Sequence, residues 1–467
     1  MSTAIIWFRK DLRVHDHEAL VKALNNHDTV IPFYCFEETE FKTTSFGFEK
    51  TGAFRAQFLI ESVANLRENL QQLGSDLVIR QGNTAEQLAR LIAEVEGDKI
   101  YAFKDIHKEE ITIQHQVEQL GVPVEYSFGA TLFHLNDIPH SFKDTPQVFT
   151  EFRKGVEKKS TVRENFEIPT AMPQVEGVTN LGDLPRLGEL GLTPEPISNK
   201  AAIVAKGGEN EALRRLQHYF FESKELSYYK EKRNGLLGAD YSSKFSLWLW
   251  NGCISPREIY WEVKRYEKEV KSNQSTYWLI FELIWRDYFK FISLKHGNKI
   301  FHLKGIKYQA EAWSTDEDDF NQWAEGRTGV PFVDANMREL NSTGFMSNRG
   351  RQNVASFLTN ELNIDWRMGA EYFESKLIDY DVASNYGNWM YNSGVGNDPR
   401  DRYFNVILQA KRYDEKGKYV KIWVAELAEL DASSVHHPWT KSDDLFGKPT
   451  IDYPPPMVEP EYWKKYY

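Results

Sequence analysis

Short apolar runs alternate with stretches of helical periodicity along the first third of the chain. The runs AIIWF (4–8), TVIPFYCF (29–36), DLVIR (76–80), KIYAF (99–103) and VPVEYSF (122–128) predict five strands. Between them HEALVKALNN (17–26), AFRAQFLIESVANLRENLQQLG (53–74), TAEQLARLIAEVEG (84–97) and EEITIQHQVEQLG (109–121) predict helices. Thr84 is the expected N-cap of the third, and Gly74 and Gly121 are expected stops. Strands alternating with helices predict a parallel, doubly wound α/β domain over residues 1–130. No G-x-G-x-x-G follows the first strand, so a standard dinucleotide site in this domain has no support.

Residues 131–205 are expected to connect two domains. Within them, residues 160–200 are rich in Pro, Gly and polar residues and have little periodicity. From 206 onward the pattern turns helical. Segments 208–221, 256–270, 275–297, 331–344, 351–362 and 369–381 suit helices, and no strand ladder is evident. The expected fold class is therefore α/β plus all-α, with residues 206–467 forming the helical domain.

Composition narrows the function. The 467 residues exceed one ordinary core, in keeping with two domains. The chain holds 13 Trp, 23 Tyr and 29 Phe, many of them in the second half beside Arg or Asn. Large planar side chains build cores, but they also stack on flat ligands and bases. A formal charge of −11 argues against a broad, non-specific nucleic-acid binder while leaving room for a local basic surface. Cys35 and Cys253 are the only cysteines, which fits a reducing compartment and is too few for an all-cysteine iron–sulfur cluster. The start MSTAIIWFRKDLRVHD lacks the plan of a signal peptide, and no apolar run is long enough to span a membrane. A cytoplasmic protein with no membrane contact is expected.

Four polar stretches in the helical half carry candidate chemistry. DYSSKFS (240–246) places hydroxyls and Lys244 on a loop before a helix, where they could hold a phosphate or simply cap the helix. In FELIWRDYFKF (281–291), Glu282 and Arg286 are spaced for an ordinary ion pair along a helix. In STGFMSNRGRQNVASF (342–357), Asn348, Arg349, Arg351, Gln352 and Asn353 could bind an anion or a base edge, or form a solvated helix start. In KLIDYDVASNYGNWMYN (376–392), Asp381, Asn385 and Trp389 would share one face of a helix where apolar residues are expected. Asp379 and Asp381 could be metal ligands, an acid–base pair or a buried capping network. No histidine stands nearby and no calcium-loop pattern is present, so no metal is expected.

Taken together, these stretches resemble the flavin-binding half of the photolyase–cryptochrome family. IIWFRKDLRVHDHEAL (5–20) is similar to that family's opening, and residues 328–373 are similar almost continuously. VFTEFRKGVE (148–157), NRGRQNVASF (348–357) and GVGNDPR (394–400) resemble its cryptochrome DASH branch. The resemblance implies FAD in the helical domain, contacted by Tyr229, Ser242, Ser243, Lys244, Phe245, Ser246, Arg286, Asn348, Arg351, Asp379 and Asp381. Arg351 would pair with Asp379, and Asn385 would face flavin N5. Trp389, Trp366 and Trp313 would pass electrons from the surface to the flavin. Glu282 and Trp285 would face a cyclobutane pyrimidine dimer, with Arg233, Arg349 and Tyr391 near the DNA. Tyr391 and Phe345 stand where many photolyases have tryptophan. The loss of aromatic surface agrees with the branch's preference for single-stranded DNA, where unpairing is already done. An antenna in the α/β domain, methenyltetrahydrofolate, would be contacted by Glu109 or Glu110. A monomer is expected.

The implied activity is light-driven dimer repair, that is, a deoxyribodipyrimidine photo-lyase. The competing reading is a blue-light receptor signalling through partner proteins. A generic nucleotide-binding α/β enzyme is disfavoured by the missing glycine fingerprint.

Overall fold

The computed structural model describes residues 2–308, 312–400, 403–440, 451–459 and 463. Five strands form one parallel sheet in the order β3-β2-β1-β4-β5: β1 Thr3–Trp7, β2 Thr29–Glu37, β3 Val78–Gly82, β4 Lys99–Phe103 and β5 Val124–Ser127. Ile5 of the central strand stands opposite Ile31 on one side and Ile100 on the other. Four helices cover the sheet: α1 Glu18–Asn26, α2 Ala53–Gln72, α3 Thr84–Val95 and α4 Lys108–Glu118. Alternation along β1 splits the apolar residues between two cores. Ala4 and Ile6 enter one, Ile5 and Trp7 the other. All five expected strands and four expected helices are present, displaced by a few residues at most. Asn83, not Thr84, caps α3, because its side chain accepts from Glu86 N–H; Thr84 is the first helical residue.

After β5 the chain runs through a helix absent from the sequence reading, α5 Phe149–Lys159. Its short apolar stripe of Phe149, Phe152 and Val156 lies at helical spacing. The remaining helices are α6 Glu209–Gln217, α7 Tyr229–Lys232, α8 Ser246–Leu249, α9 Pro256–Glu269, α10 Gln274–His296, α11 Glu317–Ala324, α12 Pro331–Thr343, α13 Asn348–Ser356, α14 Trp366–Lys376, α15 Val382–Asn392, α16 Val406–Tyr413 and α17 Lys418–Trp423. No strand occurs beyond β5 among the described residues.

The first core continues from the sheet into the helices, joining Ile6 and Phe54 to Trp248, Leu279 and Phe291. Buried charges also cross between the two halves. Asp16 takes two hydrogen bonds from Arg257, at 2.6 and 3.0 Å. Glu209 accepts from Val14 and His15 N–H and pairs with the His15 ring. No helix among the described residues is long and apolar enough to cross a membrane.

Candidate functional site

The loop 240–246 is fastened from behind. Arg215 on α6 donates to the carbonyls of Ala239, Ser242 and Ser243 and pairs with Asp240. Lys244 sits in this loop with φ 62°, a left-handed conformation uncommon for a lysine. It is buried, and its Nζ lies 3.0 Å from the Tyr241 ring centre and 3.1 Å from Ser242 Oγ. Among the described residues no carboxylate reaches it at ion-pair distance. Burial, with Arg215 next, pushes its pKa well below the usual lysine value. A buried cation without a counter-ion is costly unless an anion joins it. Ser243 and Phe245 are buried beside it, Ser242 is half-buried and Ser246, the first residue of α8, is exposed. Of the two adjacent tyrosines, Tyr229 is buried and Tyr228 exposed.

Across from this loop, α13 and α15 wall a narrow cleft lined by Asn348, Arg351, Asp379, Asp381, Asn385 and Trp389. Arg351 Nη2 donates to both oxygens of Asp379 at 2.9 Å, the expected pair. Asp381 lines the same cleft as Asn385 and Trp389, as their spacing predicts, but it is not itself a helical residue. It is the N-cap of α15, accepting from Ser384 N–H at 2.9 Å. Its other oxygen pairs with Lys290 of α10 at 2.7 Å. Despite burial, Lys290 and Arg286 hold the Asp381 carboxyl far below the usual carboxylate range. The two acids thus have separate cationic partners. Asn385 donates its amide to Ala370 O at 3.0 Å, so its carbonyl oxygen is left as an acceptor. The cleft encloses only about 80 Å³, so the fit to a flavin dinucleotide is carried by the donor set rather than by open volume. Lys244 and the hydroxyls suit a pyrophosphate, while the amides and Arg351 suit a heterocycle edge. The residues present fit the group.

On α10, Glu282 and Arg286 do not form the ion pair their spacing allows. Arg286 donates to the carbonyls of Ala130 and Leu249. Glu282 instead takes Arg233 Nη1 at 2.9 Å and Trp278 Nε1 at 3.1 Å on a single oxygen. Burial raises the Glu282 pKa, and Arg233 and Trp278 oppose that rise. Trp285 lies on the same side of the helix, edge-on to Tyr391 with ring centres 5.9 Å apart. Around these residues Arg233 and Lys230 lie over Trp278, and Lys232 lies over Tyr228. These cations are interleaved with acids as well as rings, Lys232 pairing with Glu225 and Arg233 with Glu282. Arg349 reaches Asn234 Oδ1 at 3.0 Å and stacks on Tyr413. Phe345 is buried between Lys244 and Arg351.

The three tryptophans share one core cluster and differ in depth: Trp366 and Trp389 are buried and Trp313 is half-buried. Trp389 packs on Phe373 and Trp323, and Trp366 donates its indole N–H to Leu303 O. A Cβ on Gly369 would come within 2.2 Å of Trp389 Cη2, so this glycine admits the indole.

A separate cavity of about 700 Å³ opens between the sheet domain and the helices. Glu109 and Glu110 both line it, paired with Lys50 and Lys10 respectively. Asp105, His107 and Glu110 come close enough to share an ion. Lys10 Nζ is already shared between the two carboxylates, 3.3 Å from Asp105 and bonded to Glu110. Arg286, Lys290 and Asp381 line the opposite wall.

Lys290, Trp278 and Trp323 were missed by the sequence reading. Lys290 lay within the polar stretch already singled out, and Trp278 sits one turn before Glu282. Their partners are distant in sequence or on an adjoining turn, so spacing gave only a weak signal.

Comparison with known proteins identifies the family. Residues 278–466 match the FAD binding domain of DNA photolyase, and residues 4–174 match DNA photolyase. The chain is 48% identical to cryptochrome DASH of Gloeobacter violaceus, over 98% of this chain and 93% of that one. It superposes on the Synechocystis sp. cryptochrome with TM-score 0.95 at 44% identity, covering 99% and 97% of the two chains. It also superposes on an archaeal photolyase from Sulfolobus tokodaii with two FAD molecules, with TM-score 0.80 at 28% identity, covering 98% and 96%. The chain belongs to the photolyase–cryptochrome family. Within that family its likeness is to the cryptochrome DASH proteins.

Proposed function

We propose that the protein is a DASH-type photolyase, cleaving cyclobutane pyrimidine dimers with light, preferentially in single-stranded DNA. One arrangement supports this reading: Glu282, anchored by Arg233 and Trp278, shares a helix face with Trp285, whose ring meets Tyr391 of α15, the helix that also lines the flavin-type cleft. Residues 1–130 are read as an antenna-type domain, 131–205 as the connector and 206–467 as the catalytic domain of a cytoplasmic monomer.

FAD would be held by Tyr229, residues 242–246, Arg286, Asn348, Arg351, Asp379, Asp381 and Asn385, and when bound and reduced it supplies an electron to the dimer on absorbing light. Lys244 would pair with the pyrophosphate and offset one of its charges. Asn385 offers its carbonyl oxygen to a ring N–H. Glu282 presents its carboxyl to a pyrimidine edge, while Trp285 takes the exposed base face, replacing stacking that a dimer already lacks. Arg233 and Arg349 hold the strand. Trp313, Trp366 and Trp389 form the route by which an oxidised cofactor is re-reduced. Methenyltetrahydrofolate is assigned to the interdomain cavity, next to Glu109 and Glu110; the Sulfolobus relative, with two FAD molecules, makes a flavin the alternative.

The test is illumination of the reduced protein with dimer-containing single-stranded and duplex oligonucleotides. Loss of dimers, faster in single strands, is expected. No light-dependent loss in either would overturn repair in favour of light sensing. Trp389→Phe should slow photoreduction of oxidised FAD about tenfold or more while sparing repair by enzyme already reduced, as transient absorption would report.

A further inference from the structure

Phe149, the first residue of α5, lies flat on Trp285, with ring centres 3.5 Å apart and planes 10° apart. Two free aromatic rings prefer offset or edge contacts to a direct sandwich, so this pair is held by its surroundings. Phe281 and Tyr288 meet the Phe149 ring edge-on at 5.2 and 5.5 Å, and Phe149 is buried. The chain leading to it is fastened along α10. Both Asp287 oxygens accept from the Leu132 and Phe133 N–H groups at 2.9 Å. Lys295 donates to Thr145 O, and Gln147 O accepts from the Tyr288 hydroxyl and the Asn397 amide.

We propose that Phe149 is a positioning residue of the lesion pocket: it covers one face of Trp285, fixes the indole plane, and leaves the remaining surface to a flipped dimer. The inference rests on the repair reading and extends it, because it gives the connector a part in substrate binding. An indole already locked in one plane loses little side-chain freedom when the lesion docks; an indole free to swing loses that freedom on binding. Phe149 therefore acts on affinity and leaves the photochemistry of the bound complex alone.

The test uses the full-length, FAD-loaded protein and Phe149→Leu, which keeps apolar volume and removes the flat ring. The Kd for a dimer-containing single strand should rise about tenfold, the magnitude of one immobilised large side chain. Repair per absorbed photon at saturating DNA, FAD content and photoreduction should stay at the wild-type level. Unchanged Kd overturns the inference. So does lowered repair at saturation with unchanged Kd, or loss of FAD, either of which would mark Phe149 as general packing. If the wild-type protein neither binds nor repairs dimers, the repair reading falls and this inference with it.

Discussion

At the scale of single residues, Lys244 shows most sharply that the chain is shaped for something it does not itself contain. Methionine at this position would keep the length of the side chain and remove the cation. Lys244→Met should therefore raise the melting temperature of the cofactor-free protein and lower FAD affinity by about 10- to 100-fold, the weight of a hydrogen bond to a charged group. Thermal denaturation with and without FAD would show the two effects with opposite signs. Resemblance singles out Lys244, Asp379, Asn385 and Glu282 in the sequence, and of the contacts it implies the Arg351–Asp379 pair is present. What Glu282 and Asp381 actually bind was not legible. Arg233 and Lys290 reach them from other helices. Helical spacing had offered Arg286 for Glu282, and the fold gave Arg286 to two backbone carbonyls instead.

Among the elements, α10 does the most. It carries Glu282 to Arg233, Trp285 to Tyr391 and Lys290 to Asp381, and it holds the connector through Asp287. Above about pH 7, where Asp287 is a carboxylate, Asp287→Asn places an amide NH₂ against a backbone N–H that needs an acceptor. It should destabilise the protein by ~1–3 kcal/mol, measured by denaturant unfolding. Gly369→Ala on α14 should push Trp389 out of place and slow photoreduction more than its effect on stability would suggest, as transient absorption would show. The sheet and the long amphipathic helices were readable because burial follows the 2- and 3.6-residue periods directly. Helix α5 was not, because its stripe of three apolar residues is short and sits in a polar neighbourhood. Its importance comes from ring contacts with α10, which no local pattern reports.

At the scale of the whole molecule, buried carboxyls set the response to pH. Burial raises Asp287, Glu339 and Glu374 to about 7. An unfolded chain releases these protons near pH ~4. The folded protein keeps them across the window from about pH 4 to about pH 7, so its stability falls as pH rises through that window. Each group contributes up to ~1.4 kcal/mol per pH unit. Asp381 and Glu209, held below the usual carboxylate range, act the other way and withdraw stability as pH falls below about 4. Denaturant midpoints of the cofactor-free protein should therefore peak between about pH 4 and 5 and decline toward neutrality. Glu339→Gln, which keeps an acceptor for the Tyr419 hydroxyl, should flatten that decline.

Asp381 belongs to the walls of both the narrow cleft and the large cavity, and its partner Lys290 lines the second space with it. Occupants of the two spaces would be separated by little more than one ion pair. If filling either space shifts that pair, it must change the other's affinity, and linkage requires the change to be returned by the same factor. The partition between the spaces is thus also a hinge of free energy, across which each guest would register the presence of the other.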